Sequence, residues 1–540
     1  MNPFNLLTEN WIPVRRADGS RSCIPPWRIT DPDPAIVDID APRPDFKGAL
    51  LELLIGLVQT ALPPKNDADW LQGFATPPKP DTLQKAFAPL IPFFNLFGDR
   101  PCFLQDLTLT EAEAKTPSPI AALLMDSPGE NATRHNGDFF IKRDQPPESL
   151  CPACAATALF TMQAYAPSGG AGYRVSLRGG GPLTCIVIRY TLWETVWANV
   201  LPLDASRVSP LPANPVAIPD GVFPWAAPTH DSRKPGSEIH AAAMHFLHHF
   251  WGMPRRILLA PQEDAEASPC PVCGQPGNVF VRQFWTTNYG NNYGLGWRHP
   301  LTPYRDQGPD KDALTLKGTS EGRGYNFWLG LVYGSQGLDK FPIKPARAVA
   351  HYREAAPGEE AGAVMGRLRA YGFDTDNMKV RNWCEGEYPI YDLGQADDAT
   401  FLGEITPLVQ AADLVRRNLV TAVKEALFGE KEAKNAKTDA TLLATVEARF
   451  WADTEAAFFV RVQEVITHLG NPESLFDGVK VWRDVVLTAA NAIFAAVAEG
   501  GSAPPRKAQQ IYTALNRMRA FSRSGCSKIL GIPLEKEAKK

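Results

Sequence analysis

The distribution of apolar residues changes character near residue 400. Beyond that point they recur with a period near 3.6. Ile405, Leu408, Ala412, Val415, Leu419, Ala422 and Leu427 mark one helical stripe, and Leu443, Val446, Phe450, Phe458, Val462 and Ile466 a second. Trp482, Val485, Val486, Ala489, Ile493 and Val497 mark a third, and Ile511, Leu515, Met518 and Phe521 a fourth. A helix with one apolar stripe buries it against a neighbour. Four such helices, joined by Gly, Pro and Asn loops, predict a four-helix bundle over 399–540.

The first 398 residues follow no single period. Gly48 to Leu62 is apolar nearly throughout, which predicts a buried helix. Cys185 to Leu192 is β-branched and reads as a strand, and so does Phe327 to Tyr333. Ile343 to Arg353 and Met365 to Trp383 alternate enough to predict further strands or hairpins. The stretch SPGENATRHNGDFFIKRDQPP is polar and reads as a long exposed loop. The fold expected is α+β: a large irregular mixed α/β domain over 1–398, then the bundle.

Composition narrows the function. The 540 residues are 44% hydrophobic and 21% charged, which excludes wholesale disorder, collagen and coiled coil. With 49 prolines and 42 glycines, long loops and little regular repetition are expected. Fifty-five basic residues face 59 acidic ones, net −4, so contact with nucleic acid depends on a local patch or a partner. The opening MNPFNLLTENWIPV has no basic leader, and Gly48 to Leu62 is too short to span a bilayer, so a cytoplasmic location without membrane contact is expected.

Nine cysteines, an odd number, argue against a disulfide framework. Four of them form two knuckles, CPAC at Cys151 and Cys154 and CPVCG at Cys270 and Cys273. Each Cys-x-x-Cys turns two thiolates toward one point. Two knuckles complete a tetrahedral shell that suits zinc and leaves no site for water, so the metal expected is structural. Redox chemistry and four unrelated buried cysteines are the alternatives. Cys23, Cys102, Cys185, Cys384 and Cys526 have no partner at ligand spacing.

Between the knuckles lies PSGGAGYRVSLRGGGP, residues 167–182, with six glycines, Arg174 and Arg178, and no acid. Glycine lets a backbone approach a ligand closely, and phosphate or a nucleic-acid groove is the ligand such a loop suits. It is neither a Walker motif nor a dinucleotide fingerprint; a plain flexible loop is the alternative. His240, His245, His248 and His249 cluster in what reads as one helical segment. They have no carboxylate in an H-E-x-x-H arrangement, so a packed helix is preferred to a metal site. No other catalytic constellation stands out.

The opening FNLLTENWIPV, the two knuckles, SGGAGYRVSLRGGGPLT between them, GWRHPLTPY and the C-terminal helices occur in one order. Together they resemble the large subunit (CasA) of the type I-E CRISPR surveillance complex Cascade, over essentially the whole chain. The resemblance implies a protein without catalytic activity of its own. It would join crRNA and other Cascade subunits, recognise the protospacer-adjacent motif in double-stranded target DNA, help to open the duplex, and dock the helicase–nuclease. It assigns the DNA-facing glycine loop to Ser168, Gly169, Gly170, Ala171 and Gly172, whose readout in the minor groove would be tolerant. It puts Asn288 at a third motif contact, where the family carries a basic residue.

The same resemblance assigns Asn131, in the loop 129–143, to the crRNA handle. Met365 to Lys379 becomes a hairpin wedge with its tip near Gly372, Phe373, Asp374 and Thr375, and Phe373 would stack on a base pair. Arg174, Arg178, Arg367, Arg369, Arg506, Lys507, Arg517, Arg519, Arg523 and Lys528 are the basic residues available to phosphate. Two competing readings remain: a zinc-dependent nuclease acting through the histidines at 240–249, and an assembly scaffold that never touches DNA.

Overall fold

The structure, a computed structural model, describes residues 3–127, 146–205, 208–212, 221–308, 311–319, 324–335, 341–356, 358, 360–376, 379–394, 398–433, 440–469, 472–499 and 508–533. Contacts divide the chain into two units. One holds 1–320, 344–356 and 367–387; the other holds 321–343, 357–366 and 388–540. The second unit thus takes three segments from before residue 398 in addition to the C-terminal helices.

The first unit is mixed, with short elements. Its strands among the described residues gather into small sheets of two or three. The helix Pro44–Ala61 runs through its interior, started by proline at the first helical position and buried along nearly its whole length. Glu52, midway along it, is 4% exposed. It pairs with Arg178 at 2.9 Å and accepts from Thr184 Oγ1 at 2.9 Å. A carboxylate that deep persists because its partners are buried with it. Beside this helix, Phe94, Phe103, Phe223, Trp225 and Trp251 form one aromatic cluster, mostly edge to face, with Phe103 and Trp225 centroids 5.2 Å apart and Phe94 stacked on Phe103.

Two hairpins dominate the strand content of the described residues. Arg256–Pro269 pairs antiparallel with Pro276–Thr287, and the turn between them is the second cysteine knuckle. Val364–Asp376 and Lys379–Tyr391 form the second hairpin, whose first strand pairs with Thr184–Ile188, Arg367 opposite Ile188 and Tyr371 opposite Thr184. The strand expected over 185–192 therefore stops at Ile188. Thr191 then caps a helix, Leu192–Ala198, by accepting from Glu194 N.

The second unit holds the four expected helices, Asp398–Phe428, Ala440–Thr467, Pro472–Glu499 and Ala508–Ile529. The first packs against the other three, and the third against the second and fourth. Over Asp477–Ala498 the third has the length and mean hydropathy, 1.4, of a membrane span. Its Trp482, Val486, Ala490, Ile493 and Phe494 are instead buried in the protein.

Phe327 to Tyr333 is not a strand. Tyr325–Val332 is a helix, and Tyr325, Trp328, Leu329 and Val332, spaced i, i+3, i+4 and i+7, are buried. The Tyr325 ring stacks on Phe458 at 4.2 Å and its hydroxyl bonds Thr454 at 2.9 Å. Residues 347–355 are likewise helical, after a two-residue strand at Ile343–Lys344.

Candidate metal clamp and nucleic-acid surface

The four knuckle cysteines meet. Their sulfurs lie within 4.8 Å of one another, and Cys151 Sγ is 3.6 Å from Cys273 Sγ. A tetrahedral zinc–thiolate centre with bonds of about 2.3 Å separates its sulfurs by about 3.8 Å, so the donor set fits such an ion. Local structure aims the thiols. Cys151 stands at the N-cap of the helix Pro152–Tyr165, so Cys154 falls on its first turn. Cys270 N donates to Gln275 O at 2.9 Å and Gly274 N to Cys270 O at 2.8 Å, with Gly274 at φ +72°. Only a residue tolerant of the left-handed region closes that turn without strain. An antiparallel bridge between Leu150 and Val281 brings the knuckles side by side.

Three of the four thiols are buried and Cys273 is half-buried. Hydrogen bonding to Cys151 pushes the Cys154 thiol up, while the same neighbour's donation holds Cys270 down. A divalent ion would replace the thiol protons.

The helix and the hairpin leave the cysteines and meet again. The helix Pro152–Tyr165 runs into the glycine segment, and the strand Pro276–Thr287 runs into Asn288 and Tyr289. Gln163 ties them on the way: its Nε2 donates to Arg255 O, and its Oε1 accepts from Arg255 N, both at 2.9 Å. At the far end Tyr289 N donates to Gly172 O and Asn288 Nδ2 to Ala171 O, both at 2.8 Å. Asn288 and the glycine loop, 117 residues apart in sequence, are thus one surface.

The loop is a tight turn closed by Tyr173 N donating to Gly170 O at 3.0 Å. Its glycines differ. Gly172 has φ +80°, and a Cβ there would stand 2.8 Å from Asn288 Cβ; a Cβ on Gly169 would stand 2.3 Å from Tyr173 Cβ. These two are required by the fold. Gly170 has ordinary φ and open space where a Cβ would sit, and with Ala171 it is exposed. Ser168 is partly buried beside Gly180.

The expected wedge tip is corrected by the strand it lies in. Gly372 to Thr375 falls within the first strand of the hairpin, which continues to Asp376. Phe373 is 2% exposed, its ring centroid 5.7 Å from Tyr165 and 4.8 Å from Trp383. It has no free face for a base pair. Asp374 is also 2% exposed and accepts from Arg381 at 2.7 Å, and Thr375 packs against Gly181. The alternation of this strand places Tyr371 and Phe373 on one inward face, which a tip reading of the same residues overlooks.

Several expected cations are committed elsewhere. Arg178 is 4% exposed on Glu52, Arg367 and Arg369 bind Glu387, and Arg517 pairs with Glu425 and Glu430. Arg519 donates to Asn491. Arg523 and Lys528 are exposed. Asn131, Arg506 and Lys507 lie outside the described residues.

The histidines do not form one helix; two short 3-10 turns, Ala241–Ala243 and Phe246–Phe250, replace it. His245 bonds Ser209 at 3.0 Å, His248 bonds Tyr293 at 3.1 Å, and His249 bonds Phe246 O at 2.7 Å. Among the described residues the four cysteines are the grouping fit for a metal, and no histidine joins it. Tyr289, Arg233 and Arg255 border the loop with no signal of it in the sequence, because the chain returns there from distant segments.

Comparison with known proteins agrees with this architecture. A family model described as CRISPR-associated protein Cse1 matches residues 5–492. CasA (Cse1) of Thermus thermophilus superimposes with a TM-score of 0.63 at 19% identity, covering 98% of this chain and 99% of that one. Cse1 of Thermobifida fusca gives 0.69 at 16% identity, with 98% of both chains covered. A chain of a CRISPR RNA-guided surveillance complex gives 0.68 at 19%, covering 97% and 100%. These likenesses establish the fold, and the match over most of the length establishes the kinship: the chain belongs to the CRISPR-associated Cse1 family, the CasA family its sequence resembles.

Proposed function

We propose that this chain is the large subunit of a type I-E RNA-guided surveillance complex. It reads the protospacer-adjacent motif in duplex DNA through Ser168 to Gly172 and Asn288, and a structural zinc on Cys151, Cys154, Cys270 and Cys273 holds that surface. Its partners are crRNA, the other Cascade subunits and a helicase–nuclease recruited after the duplex opens. Recognition belongs to the mixed region 1–398, the bundle at 399–540 serves assembly, and the protein works in the cytoplasm without catalysing cleavage itself. Phe373 has no part in the contact.

One observation carries this reading: Gly170 and Ala171 are exposed backbone at the tip of a turn whose neighbouring glycines are spent on shaping it. A bare, convex backbone suits a groove, where side chains would obstruct approach. An amide at Asn288 supports minor-groove readout, since that groove offers acceptors and one donor. Asn288 donates one amide N–H to Ala171 O, which leaves its second N–H and its carbonyl oxygen for base edges.

Reconstitution tests the proposal. The complex assembled with the chain binds motif-bearing duplex more tightly than motif-free duplex, and the complex assembled without it loses the difference. Equal discrimination with and without the chain would refute it. The purified chain with divalent metal leaves duplex DNA intact; cleavage would favour the nuclease reading.

A further inference from the structure

The rings of two tyrosines flank the glycine turn, and each carries guanidinium. Arg255 Cζ lies 4.8 Å from the Tyr173 ring centre, and Arg174 and Arg233 lie 6.0 and 5.6 Å from that of Tyr289. Tyr289 is held at φ +67°, a region tyrosine rarely adopts. Its backbone is fixed on both sides: its N–H donates to Gly172 O, and its carbonyl accepts from Ser232 N at 3.3 Å. Arg174 Nε donates to Ser232 Oγ at 2.7 Å, which docks the segment 230–236 against the turn. That segment carries Arg233 and Lys234, both exposed.

Arg255 sits behind. Its Nη2 donates to Pro167 O at 2.7 Å, at the root of the loop. Its Nε and Nη1 are buried and find no acceptor among the described residues. Burial pulls this guanidinium down to about 10, still cationic at neutral pH. Asp231, 2.8 Å from Arg233 Nη1, is the nearby counter-charge, and both side chains are more than half exposed. A surface pair of this kind is weak and screened by salt.

In a chain of net charge −4, four cations gathered from 174, 233–234 and 255 around one open turn are a local excess. A guanidinium over an aromatic ring is weakly hydrated, which suits phosphodiester oxygens; Arg174 binds Ser232 through Nε and Nη2, so its Nη1 remains for a further ligand.

We infer that Arg174, Arg233 and Lys234 form a cationic ledge beside the glycine turn, backed by Arg255, that takes the phosphates of the duplex whose groove the turn enters. The inference rests on the reading of the turn as a duplex-binding surface. Such contacts position the duplex and add affinity without sequence information.

The test uses the assembled complex with its guide. Arg233→Gln with Lys234→Gln changes two exposed side chains and leaves the fold intact. Binding of motif-bearing and motif-free duplex is measured from about 50 to about 200 mM salt. The double variant weakens both by the same factor, and its log–log salt slope is shallower by about 0.9 for each phosphate no longer neutralised. Gly170→Trp is run beside it. Unchanged affinity and slope in the double variant, with Gly170→Trp weakened, overturns the ledge and leaves the turn. Unchanged binding in both overturns the two together.

Discussion

Gly170 and Gly172 stand two positions apart and answer to different constraints. Gly172 is glycine because its φ of +80° and the Asn288 side chain admit nothing else. At Gly170 the fold would accept a side chain, so packing does not require glycine there, and its bareness fits the proposed contact with a duplex. Phe373 is the converse case, a residue whose chemistry suggests a ligand and whose position denies one. Phe373→Ala lowers stability by about 3–5 kcal/mol, as expected for an aromatic removed from a core, and denaturant unfolding measures it. DNA discrimination by the variant that remains folded is unchanged. His248 makes a pH prediction. Burial pulls its imidazole from 6.5 down to about 4, so it is neutral in the folded protein. The unfolded chain therefore takes up a proton first as pH falls below about 6.5, and stability present above that value is lost on the way to 4. Between pH 7.5 and 5 this amounts to about 2 kcal/mol. His299, also buried and held well below its usual value, acts in the same direction. His248→Gln flattens the loss measured by denaturant unfolding at the two pH values; an unchanged pH dependence would contradict the assignment.

At the scale of elements, legibility follows length and periodicity. The four long helices are readable because their apolar stripes repeat over several turns. Pro44–Ala61 is readable because an apolar run of that length outlasts a strand. FWLGLVY misleads because seven apolar residues fit either geometry, and the i, i+3, i+4, i+7 set emerges only when Tyr325 is included. The alternation over Met365 to Trp383 does give the hairpin Val364–Asp376 with Lys379–Tyr391, but not the position of its turn. A turn set several residues early moves Phe373 from core to tip. The knuckles are readable as a pair from spacing alone. What spacing does not convey is that the elements leaving them, a helix and a strand, rejoin at Gly172 and Tyr289. On the proposed function, that arrangement couples the clamp to binding. Elemental analysis is expected to find about one zinc per chain, and Cys270→Ser to abolish it, with motif discrimination lost as the two ends of the surface part. Metal retained by the variant would contradict the four-cysteine site.

For the whole molecule, the charge balance is the useful constraint. With 55 basic residues against 59 acidic ones, and many of the arginines committed to internal pairs such as Arg178 with Glu52 and Arg256 with Asp106, the chain is a poor general binder of DNA. That balance fits the proposed function, in which base pairing with a guide reads most of the target and protein reads a short motif. Composition conveys that much, whereas the cations at 233–234 and 255 become relevant only once the chain is folded. The most direct measurement is the ratio of affinities for motif-bearing and motif-free duplex, taken on the assembled complex with Gly170 and with Gly170→Trp. The account predicts normal assembly, an unchanged melting temperature, and a ratio that falls toward one in the variant as the indole blocks the turn. A variant that assembles, melts as before and keeps its full ratio would contradict it.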